Sequence, residues 1–410
     1  MTTNQLREHF PLLQTVTSVY GKPLVYLDNA ATAQRLDAAL DREAELSRTA
    51  NANIHRAVHH LSSLATDAYE SARDRVKEFI GAGSREEIIF TYGTTAAINL
   101  VAYSFGEAFV GEGDEILVAE DNHHSNIVPW QLLAGRKKAV IKVLPVDESG
   151  HLMVGELEKL LSQRTKIVAI SHISNVLGII SPVTEIVRIC HKNGIPVLVD
   201  GAQGIVHEKV DVSEMDCDFY AFSGHKIYAA TGTGVLYGKK KWLDAMPPFM
   251  GGGEMIETVR FSGTTFAPLP EKFEAGTQNF TGAPTMVPAL DAIDQWRTDE
   301  ELIRETAAIR DYVLTALTAD PQIHLFGVPR GTGEKIPLFS FTVEGIHHED
   351  LALILDKMGI AVRSGQMCAE PLMDRFGVTG MLRVSFAPYN TMAEAERFIA
   401  CLHRAIEMLQ

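Results

Sequence analysis

The most suggestive residue of the chain is Lys226, which follows a predicted strand end in FSGHKIYAATGTGVLYG, just ahead of a turn rich in glycine and threonine. An amine forms an imine with an aldehyde only after it loses its proton, and a sequestered site with cationic neighbours favours that loss. Asp200 ends the apolar run IPVLVD, where a carboxylate could hold a protonated pyridine nitrogen. Considered alone, Lys226 is compatible with a surface lysine, and Asp200 with a metal ligand or a helix cap.

Two further segments carry groups suited to a phosphorylated, flat ring. TYGTTAAINLV places Gly93, Thr94 and Thr95 between a strand and a helix start, where free N–H groups and hydroxyls favour a phosphate. A threonine that merely caps the helix is the alternative. EDNHHSNIVPW places His123 and His124 after another strand, and an imidazole there could stack on a ring and move protons. A metal site is the alternative for this pair, but no Glu or Cys joins it at ligand spacing.

Cys368 is the cysteine with the most reactive setting, in RSGQMCAEPL between Arg363 and Arg383. Cationic neighbours favour the thiolate, which is the nucleophilic form, whereas a buried small hydrophobe is the alternative. The other cysteines are expected to be unreactive: Cys190, Cys217 and Cys401. Without C-x-x-C spacing the set predicts a reducing compartment and no thiolate metal site.

Short β-branched runs alternate with helix-length segments, which predicts a mostly parallel sheet covered by helices on both faces. The predicted strands are Glu87–Thr91, Glu115–Ala119, Ala139–Val146, Lys166–Ser171, Pro196–Val199, Asp218–Phe222 and Gly234–Tyr237. The predicted helices between them are Thr95–Phe109, Val154–Leu161 and Pro182–Asn193. Residues 246–274 show little periodicity, and the segment from 338 onward predicts a smaller α+β lobe built from Leu338–Val343, His348–Met358, Ile360–Arg363, Leu382–Phe386 and Met392–Met408.

Composition narrows the class of protein. The 410 residues are 46% hydrophobic and 22% charged, which suits a globular chain with a full core. Thirty-seven basic against 52 acidic residues give a net charge of −15, which argues against a nucleic-acid binder. The opening MTTNQLREHF lacks the apolar stretch of an export signal, so we expect a cytoplasmic protein without membrane association.

Taken in order along the chain, these segments resemble the class V aminotransferase-like enzymes of pyridoxal-phosphate (PLP) fold type I, and within them the SufS-type cysteine desulfurases. The resemblance is carried by YLDNAAT, NIHRAVHHLSSLAT, GTTAAINLVA, EDNHHSNIVPWQ, SHISNVLG, VDGAQ, FSGHKIY, FEAGTQN, RSGQMCAEPL and LRVSFAPYN. It implies a large PLP-binding domain over residues 20–293 and a small domain over residues 1–19 and 294–410 that carries the cysteine loop.

The resemblance also implies a role for each site residue. Lys226 would hold PLP as an imine, Asp200 would pair with the ring nitrogen, and His123 would stack on the ring. The remaining cofactor contacts would come from Thr94, Thr95, Asn175, Gln203, Ser223, His225 and, from the neighbouring subunit of a homodimer, Thr277. The substrate would be bound by Asn175, Arg363 and Arg383. Lys226, His123 and Cys368 would be catalytic, with Cys368 as the sulfur acceptor.

The implied reaction converts L-cysteine to L-alanine and leaves a persulfide on Cys368, whose sulfur supplies Fe–S cluster assembly through an acceptor protein of the SufE or SufU kind. A selenocysteine lyase side activity on L-selenocysteine is also implied. The chain departs from the family at Gln366 and Met367, where many relatives carry histidines. The alternatives are a kynureninase-like or aminotransferase-like PLP enzyme, and a non-catalytic sulfur-assembly scaffold.

Overall fold

A seven-stranded sheet organises the larger part of the molecule. The computed structural model describes residues 1–331 and 333–410, and within them the sheet is formed by β1 (Ile88–Thr91), β2 (Glu115–Ala119), β3 (Val140–Leu144), β4 (Thr165–Ser171), β5 (Val197–Asp200), β6 (Phe219–Ser223) and β7 (Gly234–Gly238). Their spatial order is β1-β7-β6-β5-β4-β2-β3. β7 is antiparallel to both of its neighbours, and the other six strands run in one direction.

Helices cover both faces of this sheet, because successive residues of its central strands are apolar and point to opposite sides. Val168 and Ile170 belong to one buried cluster, and Ile167 and Ala169 belong to another. The α-helices of the chain are Thr3–Arg7, Pro11–Thr15, Asp37–Thr49, His60–Phe79, Thr94–Phe109, Val128–Lys137, Leu157–Leu160, Val183–Lys192, Gly204–His207, Val212–Met215, Lys240–Ala245, Met286–Trp296, Glu300–Ala319, His348–Lys357, Glu370–Phe376 and Met392–Leu409.

A smaller antiparallel sheet lies toward the C-terminus. It contains β8 (Ile323–Phe326), β9 (Leu338–Val343), β10 (Arg363–Gly365) and β11 (Met381–Ser385), in the order β8-β9-β11-β10. Helices pack against it around a separate apolar cluster that includes Phe339, Leu382 and Phe398. The domain boundaries at residues 20 and 293 stay a prediction.

The predicted fold class is confirmed, and each predicted strand of the large sheet is present with ends shifted by no more than two residues. The segment predicted as helix Val154–Leu161 is helical from Val154 to Leu160, as a 3-10 turn, Val154–Glu156, followed by the single α-helical turn Leu157–Leu160. Other local features differ from the prediction. The aperiodic stretch 246–274 contains a hairpin of Ile256–Arg260 and Gly263–Phe266, whose strands are exposed almost throughout and so show no apolar alternation.

The predicted strand Ile360–Arg363 is in fact two strands with different partners. Ile360–Ala361 pairs in parallel with Val25–Tyr26, and β10 begins two residues later, beside β11. Within the described residues, no helix is both long and apolar enough to cross a bilayer.

The topology fixes where a site can form. Parallel strands end at a common edge, so the residues after β1, β2, β4, β5 and β6 meet there. Those segments contain the polar groups singled out from the sequence, and β10 and β11 approach the same edge from the smaller lobe.

Candidate active site

A single cavity of about 190 Å³ brings the predicted site residues together at this edge. Twelve of the thirteen line it: Thr94, Thr95, His123, Asn175, Asp200, Gln203, Ser223, His225, Lys226, Arg363, Cys368 and Arg383. Thr277 lies elsewhere in its own chain, in a cavity lined also by Tyr69, Tyr92 and Met250. Residues spread over almost 300 positions of sequence therefore share one pocket.

Lys226 lies in the 3-10 turn Gly224–Lys226 that follows β6. Burial lowers the pKa of its amine to about 8, Arg383 and Arg363 act in the same direction, and Asp200 opposes them. Desolvation disfavours the ammonium form, and a second cation nearby does the same. The amine is therefore far easier to deprotonate than a surface lysine, as imine chemistry requires.

Asp200 ends β5 and is 6% exposed, with the Ala202 N–H donating to Oδ1 at 3.0 Å. Burial raises the pKa of this carboxyl, an effect that Lys226 opposes. A buried carboxylate is costly without a cation or good donors. A protonated ring nitrogen would supply the cation that this position favours.

The turn after β1 has the geometry of an anion cradle. Gly93 has φ +147, and helix Thr94–Phe109 begins at the next residue. The Thr94 N–H donates to Ser223 Oγ at 2.8 Å, and the two hydroxyl oxygens lie 2.7 Å apart. β7 approaches so closely that a Cβ at Gly234 would lie 2.4 Å from Gly93 Cα. The arrangement presents a helix N-terminus and several hydroxyls to the cavity, which suits a phosphate.

Two histidines of the cavity are held in the neutral form. Burial, and next to it the Lys226 charge, lower the pKa values of His123 and His225 to about 4. The Ser125 N–H donates to His123 Nδ1 at 3.0 Å, which leaves the ring proton on Nε2. His225 Nδ1 lies 3.2 Å from Thr32 Oγ1. A neutral imidazole at 123 can lie flat on an aromatic ring and still donate one hydrogen bond.

Arg363 and Arg383 occupy directly opposite positions on β10 and β11. Like charges so placed repel, and the carboxylate of Asp28 lies between them. Its Oδ1 accepts from Arg363 Nε at 3.2 Å and from Arg383 Nη2 at 3.3 Å. Burial lowers the pKa of Arg383 to about 10, with Asp28 opposing the shift, and its Nη1 donates to the Asn175 carbonyl at 2.8 Å.

The part of the cavity near Arg383 contains two buried polar atoms whose hydrogen-bonding capacity is not satisfied by the described residues. Among the residues that the structure describes, neither Asn175 Oδ1 nor Arg383 Nε has a hydrogen-bond partner. Both residues line the cavity, and unsatisfied buried groups of this kind mark positions that a ligand completes. On the far side, Gln203 Nε2 donates to the Ala30 carbonyl at 2.8 Å. The polar lining therefore fits a charged, phosphorylated ring together with a carboxylate.

Cys368 is exposed, so the alternative of a buried hydrophobe was wrong for it. Met367 and Cys368 have φ values of +53 and +55, a left-handed conformation that costs a non-glycine residue about 1 kcal/mol or more. Asn175 Nδ2 donates to the Met367 carbonyl at 2.9 Å, and the Met367 side chain is buried in an apolar cluster. Cys190 and Cys217 are buried as expected, and burial raises the pKa of both thiols.

Asp28 is the site residue that the sequence did not reveal. It lies in YLDNAAT, a stretch that already carried the family resemblance, but nothing local gives its role. The available signal was the pair of arginines at 363 and 383, because two cations predicted for one pocket require a counter-charge.

With the geometry described, known proteins provide a comparison. The aminotransferase class-V family matches residues 25–398. A probable cysteine desulfurase of Vibrio cholerae is 46% identical over 409 residues, covering 100% of both chains. A cysteine desulfurase of Pectobacterium atrosepticum is 45% identical over 99% of this chain and 98% of its own. The crystal structure of cysteine desulfurase CsdA of Escherichia coli, in its S-sulfonic acid form, superposes with a TM-score of 0.91 at 37% identity over the whole of both chains.

Fold and cavity together define a pyridoxal-phosphate enzyme. The chain belongs to the aminotransferase class-V family, and its full-length relatives carry the name cysteine desulfurase. The predictions of the family, of fold type I and of the PLP cofactor are thereby confirmed.

Proposed function

We propose that the protein is a cysteine desulfurase that converts L-cysteine to L-alanine and retains the sulfur as a persulfide on Cys368. The observation that carries this proposal is the presence of Lys226 and an exposed, loop-borne Cys368 in one cavity. The two groups are near enough for the charge of a Cys368 thiolate to favour the Lys226 ammonium. The names of the relatives at 44–46% identity support the same activity.

Pyridoxal phosphate, when bound, supplies the aldehyde that captures the substrate amine and the electron sink that acidifies the substrate Cα proton. In our proposal Asp200 keeps the ring nitrogen protonated and His123 covers one ring face. Thr94, Thr95, Ser223 and His225 would hold the phosphate. Gln203 would contact the ring oxygen, and Asn175 would contact the substrate.

The remaining steps fall to the protein's own side chains. Arg383 binds the substrate carboxylate, with Arg363 beside it and Asn175 completing the contact. Lys226, with a pKa of about 8, takes the proton from Cα and returns it. The Cys368 thiolate then attacks the substrate sulfur, so an S–S bond forms as the Cβ–S bond breaks. The electron pair of the broken bond stays on carbon, which is protonated to give alanine.

The finer parts of the proposal concern partners. We place Thr277 in the site of a neighbouring subunit of a homodimer, because in its own chain it lines another cavity. That cavity is flanked by apolar side chains that solvent reaches, with Tyr92 67% and Met250 51% exposed. A second copy covering this face would bury them.

We further propose that the persulfide passes to an acceptor protein of the SufE or SufU kind in the cytoplasm and that the sulfur serves Fe–S cluster assembly. The exposed position of Cys368 on a short loop supports direct transfer. L-selenocysteine is the second substrate we propose, since its C–Se bond is weaker than a C–S bond. Transfer of labelled sulfur from the enzyme to candidate acceptors tests the first point, and label that stays on the enzyme with every candidate contradicts it.

The principal experiment has two parts. Borohydride reduction of the holo-protein should fix the cofactor on the peptide containing Lys226, and L-cysteine with a reductant should yield sulfide and alanine in equal amounts. A kynureninase-like or aminotransferase-like enzyme would release no sulfide, and a non-catalytic scaffold would lack the visible absorption of the bound cofactor after dialysis. Cofactor fixed on another residue would contradict the proposal.

A further inference from the structure

His124 contacts the cysteine loop at two points, although it lines no part of the cofactor pocket described above. Its N–H donates to the Cys368 carbonyl at 2.7 Å, and its Nε2 accepts from the Glu370 N–H at 2.9 Å. We propose that His124 is a positioning residue, which fixes the position of the Cys368 loop relative to the cofactor site. This inference rests on the proposed function, in which Cys368 receives the substrate sulfur.

The loop needs such support because two of its residues adopt an unfavourable backbone conformation. Met367 and Cys368 both adopt left-handed φ values, and conformations of this kind persist only where surrounding contacts determine them. Asn175 and the buried Met367 side chain fix the residue before the cysteine. His124 bonds the backbone of the cysteine itself and of the segment after it, so the backbone at Cys368 is held from both sides.

The location of His124 gives the contact a functional meaning. It directly follows His123, whose imidazole lines the cofactor cavity. Both residues belong to the turn after β2, with His123 as the N-cap of the 3-10 helix His124–Asn126. The same turn therefore positions the His123 imidazole, which lines the cavity, and the His124 N–H, which bonds the Cys368 carbonyl.

The Nε2 contact can be tested by choosing where a replacement amide places its acceptor. In His124→Gln the side-chain oxygen reaches the position of Nε2, whereas in His124→Asn it reaches only that of Nδ1. The Asn variant is thus a matched control of similar polarity, and His124→Ala removes both positions. All three keep the backbone bond to Cys368, which isolates the side-chain contribution.

Two measurements on the holo-proteins should separate the variants. Hydrogen exchange of the peptide covering residues 366–376 should be about three- to tenfold faster in the Ala and Asn variants and within about twofold of wild type in the Gln variant. The single-turnover rate of persulfide formation on Cys368 should fall by the same factor in Ala and Asn and recover in Gln. The absorbance response of the cofactor to L-alanine should be unchanged in all three.

Equal behaviour of the three variants, whether like wild type or uniformly impaired, would overturn the role of His124. A wild-type enzyme that forms no persulfide on Cys368 would instead contradict the proposed function. The two failures are therefore distinguishable in one data set.

Discussion

The two halves of the candidate site are positioned in different ways. Asp200 ends a strand of one sheet, and Lys226 and the Gly93–Thr95 turn directly follow other strands of that sheet, so the sheet fixes where each of them begins. Cys368 lies instead on an exposed loop between β10 and helix Glu370–Phe376, held by a few side-chain and backbone contacts. The sheet edge suits groups that stay fixed around a ring, whereas the loop suits a thiol that, in our proposal, passes its sulfur to a second protein.

The two halves also differ in their exposure to solvent. At the sheet edge, desolvation moves the pKa of Lys226 down and that of Asp200 up. The thiol at the loop tip is reached by solvent. The sheet edge, where the proton transfers are proposed, therefore contains groups with shifted pKa values.

The largest expected effect comes from replacing Lys226, in the sheet-edge half of the candidate site. Lys226→Ala should lower alanine formation from L-cysteine by about a thousandfold or more, because the imine-forming amine and the proposed base are lost together. Lys226→Arg keeps a cation but cannot form the imine, so it should be equally inactive. Steady-state assays of both variants provide the test, and near-normal turnover in either would refute the assignment.

The second prediction concerns a substitution in the loop half alone. Cys368→Ser should reduce sulfide release by about a hundredfold, since a hydroxyl has little of the nucleophilicity of a thiolate. Absorbance changes of the cofactor on adding L-cysteine should persist, because the sheet-edge groups are untouched. Cys401→Ser, on a C-terminal helix, is the matched control and should behave as wild type. Loss of the absorbance response in Cys368→Ser would show that the halves are not separable.

The third prediction uses pH on the cofactor-free protein. The difference between the pKa of Lys226, about 8, and its ordinary value of 10.5 corresponds to ~3 kcal/mol. Below pH 8 both folded and unfolded chains hold the proton, and the desolvated ammonium destabilises the fold. Between pH 8 and 10.5 only the unfolded chain holds it, so stability should rise with pH through this range.

Urea unfolding of wild type and of Lys226→Met across these pH values isolates the lysine, because other groups titrate in both proteins. The free-energy advantage of the methionine variant should be largest at pH 7 and disappear above about pH 10.5. An advantage that is independent of pH would argue that Lys226 is solvated.

The smallest effects concern the two residues before the cysteine. Met367→Ala should lower the free energy of unfolding by about 2 kcal/mol, since its side chain is buried beside Val176 and Met373. Gln366→Ala should change it by less than ~0.5 kcal/mol, because the Gln366 side chain is exposed and donates to the exposed Glu370 carboxylate at 3.1 Å. Thermal unfolding of the pair checks this, and similar losses in both would contradict the anchoring role of Met367.

The fold could be predicted largely because buried strands appear in the sequence as local runs of apolar residues. The strands β4 and β5 are buried at every position except Lys166, and their sequences are mainly apolar runs between helices. The hairpin 256–266 shows no such apolar run, since nearly all of its side chains face solvent. The helix Glu370–Phe376, with few buried side chains, was missed for a similar reason.

The site could be predicted residue by residue only through the ordered resemblance, because single residues such as Lys226 or Cys368 have ordinary alternatives. What escaped prediction depends on distance. Asp28 reaches two arginines that follow it by more than 300 positions, and His124 reaches a loop 244 positions away. Such contacts have no signature in a single sequence, since neither partner's neighbours indicate the other.

The most direct test of the central claim is to locate the sulfur after a single turnover. Holo-enzyme mixed with an equal amount of L-cysteine, without reductant or acceptor, should produce L-alanine, and peptide mass analysis should find one extra sulfur atom on the peptide that contains Cys368. Alanine formed without that modified peptide, or the extra sulfur found on Cys190, Cys217 or Cys401, would contradict the account.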